Sequence, residues 1–181
     1  MNSLYIKTPE QLELMAESGR LPASVFTWLD DHVKPASKGQ YGFQYVLNTS
    51  VNDVVCHGIP SSSQQLKSGD IGHAIQSYAE AQGYSVVREY CGHGIGRQIH
   101  EAPQVLHYGR PGKGLVLKAG MTFTIEPMIN QGRASVKEKR DGWTVVTADK
   151  KLSAQWEHTI AVTNDGYRVL TLREEEKTAL K

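Results

Sequence analysis

Three separate segments of the sequence carry side chains that could bind a divalent metal ion. They supply one imidazole and two carboxylates: His93 in residues 91–96 (CGHGIG), Glu126 in residues 122–127 (TFTIEP) and Glu157 in residues 155–160 (QWEHTI). A catalytic site of the zinc type needs about three protein ligands and an open position for water. The three residue types together therefore predict a divalent-metal site.

Each segment also has a simpler interpretation when it is taken alone. The first could be a glycine-rich turn with a surface histidine, and each glutamate could lie on the solvated face of a strand. The spacing does not decide between these interpretations, because the ligands come from separate strands. His158, which alternation places on the face of Trp156 and Ile160, is interpreted as a packed or hydrogen-bonded histidine rather than a ligand.

The elements that must position these residues are two helices and several strands. Thr8 and Pro9 predict the start of the first helix, which Pro22 should kink or split, and a second helix is predicted over residues 71–82. Strands are predicted over residues 85–90, 121–128, 142–147, 154–163 and 167–172. The turn Asn-Asp-Gly at 164–166 predicts a hairpin between the last two, and residues 91–96 are expected to be irregular. The mixture is typical of an α+β fold.

Within residues 122–127, alternation places Thr122, Thr124 and Glu126 on one face of the strand. Pro127 has no N–H for a central ladder, so Glu126 is expected at a strand end.

Composition indicates a globular chain and excludes several classes of protein. The 181 residues include 20 Lys plus Arg and 19 Asp plus Glu, a net charge of +1, with 39% hydrophobic residues. This balance does not favour a dedicated nucleic-acid binder, and no apolar run approaches the roughly 18 residues of a membrane span. Two cysteines, Cys56 and Cys91, exclude a disulfide framework but leave a single disulfide open. We expect reduced thiols and a cytoplasmic location.

Five sequence motifs, in order along the chain, resemble those of the bacterial type I methionine aminopeptidases. They are NDVVCHGIP at 52–60, CGHGIG at 91–96, TFTIEPM at 122–128, DGWTV at 141–145 and QWEHT at 155–159. The resemblance extends from residue 6 to residue 173.

The resemblance implies a pita-bread fold, in which two pseudo-symmetric halves surround a central metal site. It divides the single domain 1–181 into a shortened amino half (1–70), a near-complete carboxyl half (71–173) and a frayed tail (174–181). Members of this family remove the initiator methionine from nascent chains. They use two divalent metals held by one His, two Asp and two Glu.

Residue by residue, the resemblance assigns roles to positions of this chain. The metal ligands would be His93, Glu126 and Glu157, and Glu126 would also remove a proton from the attacking water. His100 would stabilise the oxyanion, and His57 would orient the scissile amide or the leaving nitrogen. The apolar pocket for the methionine side chain would include Phe43, Ile99 and Trp143, with Tyr41 nearby.

The sequence departs from the family where the two metal-binding aspartates should be. Residues 66–71 (LKSGDI) run directly into residues 72–76, which resemble a later family helix, and neither Asp53 nor Asp70 matches a metal position. A second gap lies between Pro35 and Gln40. We therefore expect ligands for about one divalent cation, of the Co, Mn, Fe or Zn class, and an impaired activity.

The expected partner is the amino terminus of a peptide or nascent chain that starts with Met, bound by a monomer. Neither a membrane nor a specific nucleic acid is expected, and a transient ribosome contact is left open. Two alternatives remain at this point. One is a non-catalytic module that binds peptide termini, or an inactive relative of the family. The other is a ribosome- or nucleic-acid-associated factor that uses Lys137, Lys139, Arg140, Lys150 and Lys151.

Overall fold

The computed structural model describes residues 6–19, residues 66–173 and Glu176. Residues 9–19 are helical (α1), and the next helix within the described residues is α2, Ser68–Ala81. In the described part of the chain that follows α2 there are ten strands: β1 (Ser85–Val86), β2 (Gly92–Gly94), β3 (Glu101–Val105), β4 (Thr122–Ile125), β5 (Met128–Asn130), β6 (Val136–Glu138), β7 (Val145–Thr147), β8 (Ser153–Gln155), β9 (His158–Val162) and β10 (Tyr167–Val169).

The strands form three antiparallel sheets. The largest has the order β10-β9-β4-β2-β3, a second has the order β1-β5-β8, and β6 and β7 form a two-stranded ribbon. Turn residues 164–166 connect β9 to β10 as predicted, with Tyr167 opposite Val162. The strand β4 is the centre of the largest sheet and all four of its residues are buried, so it is not an edge strand.

The hydrophobic core lies between this sheet and α2. Ile71 of α2 packs with Val105, Phe123, Ile125 and Ile160, and each of these side chains is at most 7% exposed. Burying an aliphatic or aromatic side chain of this size stabilises the fold by about 1.5–3 kcal/mol. The core thus fixes the sheet that carries the candidate ligands.

The first helix begins with a reciprocal cap, whereas the cap of α2 is made from one side only. The Thr8 hydroxyl accepts the Gln11 N–H at 3.3 Å and the Gln11 side chain accepts the Thr8 N–H at 2.9 Å, which confirms Thr8 as the cap. In α2 the Asp70 carboxylate accepts the Lys67 N–H at 2.7 Å, so the helix starts at Ser68, earlier than predicted. It ends before Gly83, whose φ of 79° favours glycine.

Two predicted long strands are each broken in the middle. The predicted strand 121–128 is divided into β4 and β5 at Glu126 and Pro127, and the predicted strand 154–163 is divided into β8 and β9 at Trp156 and Glu157. Since β4 pairs with β9 and β5 pairs with β8, both segments pass from one sheet to the other at the same level. Pro127 lacks an N–H for the ladder, which explains the first break. The second break, at Trp156 and Glu157, follows because it lies opposite the first.

The prediction that residues 91–96 are irregular is wrong, because Gly92–Gly94 forms β2 between β3 and β4. A Cβ atom on Gly92 would lie 2.2 Å from the Thr124 carbonyl oxygen, and one on Gly94 would lie 2.1 Å from that of Ala102. Glycine therefore permits close approach of the neighbouring backbones here, which outweighs its low strand propensity.

Several strand bounds also differ from the predictions. The strands predicted over 85–90, 142–147 and 167–172 are shorter, as Ser85–Val86, Val145–Thr147 and Tyr167–Val169, whereas β3 and β6 were not predicted. Pro22 and the gap at residues 35–40 lie outside the described residues, as does the tail 174–181 except Glu176.

Candidate metal centre

The break between the two sheets places both glutamates at one level. Ile125 of β4 lies opposite His158 of β9 in the last pair of their ladder. Glu126 and Glu157 are each the next residue beyond that pair, so their side chains fall on one face of the ribbon. The predicted position of Glu126 at the end of a strand is confirmed.

The neighbouring strand β2 brings His93 to the same face. Gly94 pairs with Phe123, which puts His93 next to Thr124 on β4. The Nε2 atom of His93 lies 3.4 Å from Oε1 of Glu126, and one ligand atom each of His93, Glu126 and Glu157 all lie within 4.8 Å of one another. Three side chains from β2, the end of β4 and the start of β9 therefore approach closely enough to share one ion.

The donor set of this cluster fits a divalent metal ion. One imidazole nitrogen and two carboxylates suit ions of the Zn, Mn, Fe or Co class. The side chains of His93 and Glu126 are 16% and 15% exposed, and Glu157 is exposed. The Nδ1 atom of His93 lies 3.0 Å from the carbonyl oxygen of Gly94. Donation of a proton there leaves the lone pair of Nε2 for an ion.

The electrostatics of the cluster also favour a cation. Although Glu157 is exposed overall, partial desolvation of its carboxylate and the nearby Glu126 carboxylate raise the pKa of Glu157, and His93 opposes this shift. Burial, followed by the same Glu126 carboxylate, raises the pKa of the Cys91 thiol. Negative charge is therefore costly at this position, and a bound cation would relieve the cost.

A buried hydroxyl that was not predicted as functional connects two of the ligands. Thr124 is fully buried, and its Oγ1 accepts the N–H of His93 at 3.0 Å and donates to Oε1 of Glu126 at 2.7 Å. The period-two alternation placed Thr124 on the face of Glu126, which was the signal that could have identified it.

A buried imidazole, His107, was also missed. Its Nε2 atom accepts the backbone N–H of Glu126 at 3.1 Å, and the residue is 0% exposed. Burial lowers the pKa of His107 to about 4, so the ring is neutral near pH 7. No local sequence pattern connects residue 107 to residue 126.

His100 lies beside the ligand cluster, in the turn that follows β2. The ring centroids of His93 and His100 are 4.3 Å apart, and His100 is exposed. The Glu101 carboxylate accepts the Gln98 N–H at 3.1 Å and pairs with Lys7 Nζ at 2.8 Å. An ion pair from the amino-terminal segment thus holds the turn that carries His100.

Two of the predicted pocket residues lie in the part of the chain that the structure describes, and both are exposed. Ile99 is 70% exposed and Trp143 is 88% exposed. Trp143 lies in the turn between β6 and β7, where its N–H donates to Asp141 at 3.0 Å. Tyr41, Phe43 and His57 lie outside the described residues.

Hydrogen bonds hold the segment before β9. The Trp156 indole N–H donates to Nε2 of His158 at 3.2 Å, and Nδ1 of His158 lies 3.1 Å from the Thr171 hydroxyl. Arg173 stacks on the Trp156 ring at 4.3 Å. His158 is therefore a hydrogen-bonded histidine, as predicted, and its hydrogen bonds anchor the chain directly after Glu157.

Comparisons with known proteins agree with this arrangement. Residues 66–164 match the profile of metallopeptidase family M24. The chain is 38% identical to methionine aminopeptidase of Escherichia coli K12 over an alignment of 253 residues. The alignment covers 96% of this chain and 96% of the relative.

Two solved structures match nearly the whole chain. The crystal structure of methionine aminopeptidase from Rickettsia prowazekii has 37% identity and a TM-score of 0.76 and covers 94% of this chain and 100% of its own. That from Thermotoga maritima has 29% identity and a TM-score of 0.74, with coverage of 95% and 100%. Within the described residues no helix is long and apolar enough to cross a membrane.

Proposed function

The chain belongs to metallopeptidase family M24, and from this membership we propose that it is a metal-dependent aminopeptidase that removes methionine from the amino terminus of peptides and nascent proteins. The fold is the α+β pita-bread fold of its structural relatives. The observation that carries the proposal is the approach of His93, Glu126 and Glu157 to within 4.8 Å. The relatives' shared name supplies the substrate.

The proposed ligands are Nε2 of His93 and one carboxylate oxygen each from Glu126 and Glu157. Family M24 uses divalent metal, and a metal of the Co, Mn, Fe or Zn class suits this donor set. A bound ion supplies Lewis acidity toward the substrate carbonyl and the attacking water.

The remaining steps belong to the protein's own residues. The Glu126 carboxylate takes a proton from the attacking water, because it is the ligand that Thr124 and His107 hold in place. His100 donates a hydrogen bond to the oxyanion that forms at the scissile carbonyl, which its position 4.3 Å from the His93 ring supports. His57 orients the scissile amide or the leaving nitrogen, as the resemblance to the family implies.

The methionine side chain is assigned to a pocket that includes Phe43, Ile99 and Trp143, with Tyr41 nearby. An unbranched thioether adapts well to an apolar slot of this kind. Ile99 directly precedes His100 in the turn, so a substrate that reaches His100 would also pass Ile99.

We propose that the chain binds about one ion rather than two and turns over slowly, because the two aspartates of the family have no counterpart. The alignment to the Escherichia coli relative extends over 253 residues, more than the 181 of this chain. That excess supports the prediction of missing segments. A shortened amino half, a cytoplasmic location, a monomeric state and a transient ribosome contact remain predictions of the sequence.

The alternative of a non-catalytic binding module is not favoured, because relatives that match nearly the whole chain are named methionine aminopeptidase. The ribosome- or nucleic-acid-associated alternative rests only on the five basic residues at 137–151 and stays a prediction.

The test is release of free methionine from the peptide Met-Ala-Ser by purified protein with added Co²⁺ or Mn²⁺. The proposal expects turnover that a chelator abolishes and that Glu157→Ala removes. Glu138→Ala is the matched control, since Glu138 is an exposed glutamate on β6, outside the cluster. Turnover of the unchanged protein no higher than that of Glu157→Ala would reject the proposal.

A further inference from the structure

The backbone of Glu126 is held by a side chain that lies outside its own strand. Glu126 follows the last residue of β4 and precedes Pro127, so the ladder between β4 and β9 ends before it. Its N–H donates instead to Nε2 of His107 at 3.1 Å. Glu126 is therefore fixed twice: at its main chain by His107 and at its carboxylate by the Thr124 hydroxyl, at 2.7 Å.

This hydrogen bond determines the tautomer of His107. A backbone N–H can only donate, so Nε2 must present its lone pair and the ring proton must lie on Nδ1. The residue follows β3 and is 0% exposed. Because the His107 ring is buried in this tautomer, it is a rigid acceptor that cannot turn away into solvent.

The other ring nitrogen of His107 makes an imidazole at this buried position unfavourable by itself. Nδ1 of His107 is buried and has no hydrogen-bond partner among the residues that the structure describes. An unpaired buried N–H is unfavourable, and an apolar side chain of similar size would fill the site without that cost. The acceptor at Nε2 is the property that an apolar side chain would lack.

We propose that His107 is a positioning residue for the metal centre: by accepting the N–H of Glu126, it fixes the backbone from which the Glu126 carboxylate reaches the ion. The effect on metal binding rests on the proposed function, whereas the hydrogen bond from the Glu126 N–H to His107 does not. Hydrogen-bond partners that orient a ligand commonly contribute about 10- to 100-fold to metal affinity. The same placement aims the carboxylate at the attacking water.

Two polar variants separate this role from simple filling of space. In His107→Gln the amide oxygen can occupy the place of Nε2, whereas in His107→Asn the shorter side chain reaches only the place of Nδ1. Asn130→Leu is the control, because Asn130 is also 0% exposed and bonds Ser153 at 2.7 Å, away from the ligands. Should His107→Asn fail to fold, His107→Leu replaces it, since it buries no polar atom.

The first measurement is Co²⁺ binding to the metal-free full chain by titration calorimetry. We expect His107→Asn to weaken Co²⁺ binding by about 10- to 100-fold. His107→Gln and Asn130→Leu should stay within about threefold of the unchanged protein, because neither removes the acceptor that orients the ligand. Equal Co²⁺ affinity of the Asn and Gln variants would overturn the inference.

The second measurement is hydrogen exchange of the Glu126 amide by NMR in the absence of metal. Exchange should be at least about tenfold faster in His107→Asn than in the unchanged protein, and slow in His107→Gln, because loss of the acceptor opens this amide locally. If the unchanged protein binds no Co²⁺, the proposed function fails, whereas the exchange rates still decide whether His107 holds Glu126. Equal rates in all forms would contradict that.

Discussion

The Nε2 atom of His93 lies 3.4 Å from Oε1 of Glu126, although His93 belongs to β2 and Glu126 follows β4. The two strands are neighbours in the sheet, and the fully buried Thr124 hydroxyl bonds both residues. The imidazole and the carboxylate are thus held together by backbone pairing and by one hydroxyl. This arrangement explains how side chains far apart in the sequence form one candidate ligand set.

Thr124→Val should weaken metal binding as well as the fold. The substitution keeps the volume of the side chain but removes the hydroxyl between His93 and Glu126, so we expect a loss of about 1–3 kcal/mol in the free energy of unfolding. Co²⁺ affinity should fall about tenfold because the Glu126 carboxylate loses its donor. Urea unfolding and titration calorimetry measure the two effects.

Thr122→Val is the control for that experiment. Thr122 lies on the same face of β4 and is 3% exposed, but its hydroxyl donates to the Ile95 carbonyl rather than to a ligand. It should lose similar stability with unchanged Co²⁺ affinity. If both variants lower the affinity equally, Thr124 has no special role.

Lys7→Met should loosen the turn that carries His100. Lys7 and Glu101 form an ion pair whose side chains are only 4% and 16% exposed, and its loss leaves a largely buried carboxylate without its cation. We expect a decrease of about 2–3 kcal/mol in the free energy of unfolding and a lower kcat/KM.

Arg168→Met serves as the matched control, because Arg168 pairs with Glu13 where both side chains are well exposed, at 48% and 66%. That change should cost less than about 1 kcal/mol. Equal destabilisation by the two substitutions would show that burial of the Lys7 pair contributes nothing.

The same ion pair predicts a dependence of stability on pH. Burial raises the pKa of Glu101, but hydrogen bonds from Lys7 and Gln98 outweigh it and lower the pKa below its usual 4.5. The group therefore stabilises the fold above about pH 4.5, and this stabilisation is lost as pH falls through the folded-state pKa.

The measurement compares urea unfolding of the unchanged protein and Glu101→Gln from pH 7 to pH 3. The difference in free energy between them should be constant near neutrality and should shrink in the acidic part of the range. A difference that grows as pH falls would contradict the assignment.

Gly94→Ala should destabilise the fold strongly. Its Cβ would lie 2.1 Å from the Ala102 carbonyl oxygen, a backbone atom that cannot move without opening the pairing of β2 with β3. We expect a loss of about 3 kcal/mol, at the upper end for overpacking. Gly83→Ala meets no atom within 4 Å and should lose about 1 kcal/mol for its positive φ alone. Thermal unfolding compares the two.

The sequence singled out the three side chains that cluster, but it did not give the bounds of the strands around them. Pro127 made the end of β4 predictable, because proline cannot continue a central ladder. Nothing within residues 154–163 forbids a continuous strand. The break at Trp156 and Glu157 follows from pairing with β4 and β5, so it could not be predicted locally. The break nevertheless determines where Glu157 lies.

The glycine-rich strand and the supporting residues depend on long-range contacts. Glycine has a low strand propensity. It is nevertheless suited to positions 92 and 94 of β2, because the Thr124 and Ala102 carbonyl groups leave no room for a Cβ atom there. His107 is far from Glu126 in sequence, and a single histidine carries no pattern that indicates its hydrogen bond to that residue. The alternation along β4 did place Thr124 correctly.

Metal content is the most direct test of the central claim that His93, Glu126 and Glu157 hold one divalent ion. The full chain would be loaded with Co²⁺ or Mn²⁺, dialysed, and analysed for metal per chain by elemental analysis beside Glu157→Ala. We predict about one ion per chain in the unchanged protein, the number that a single three-ligand site holds, and a much lower content in the variant. Two ions per chain, or none, would contradict the account.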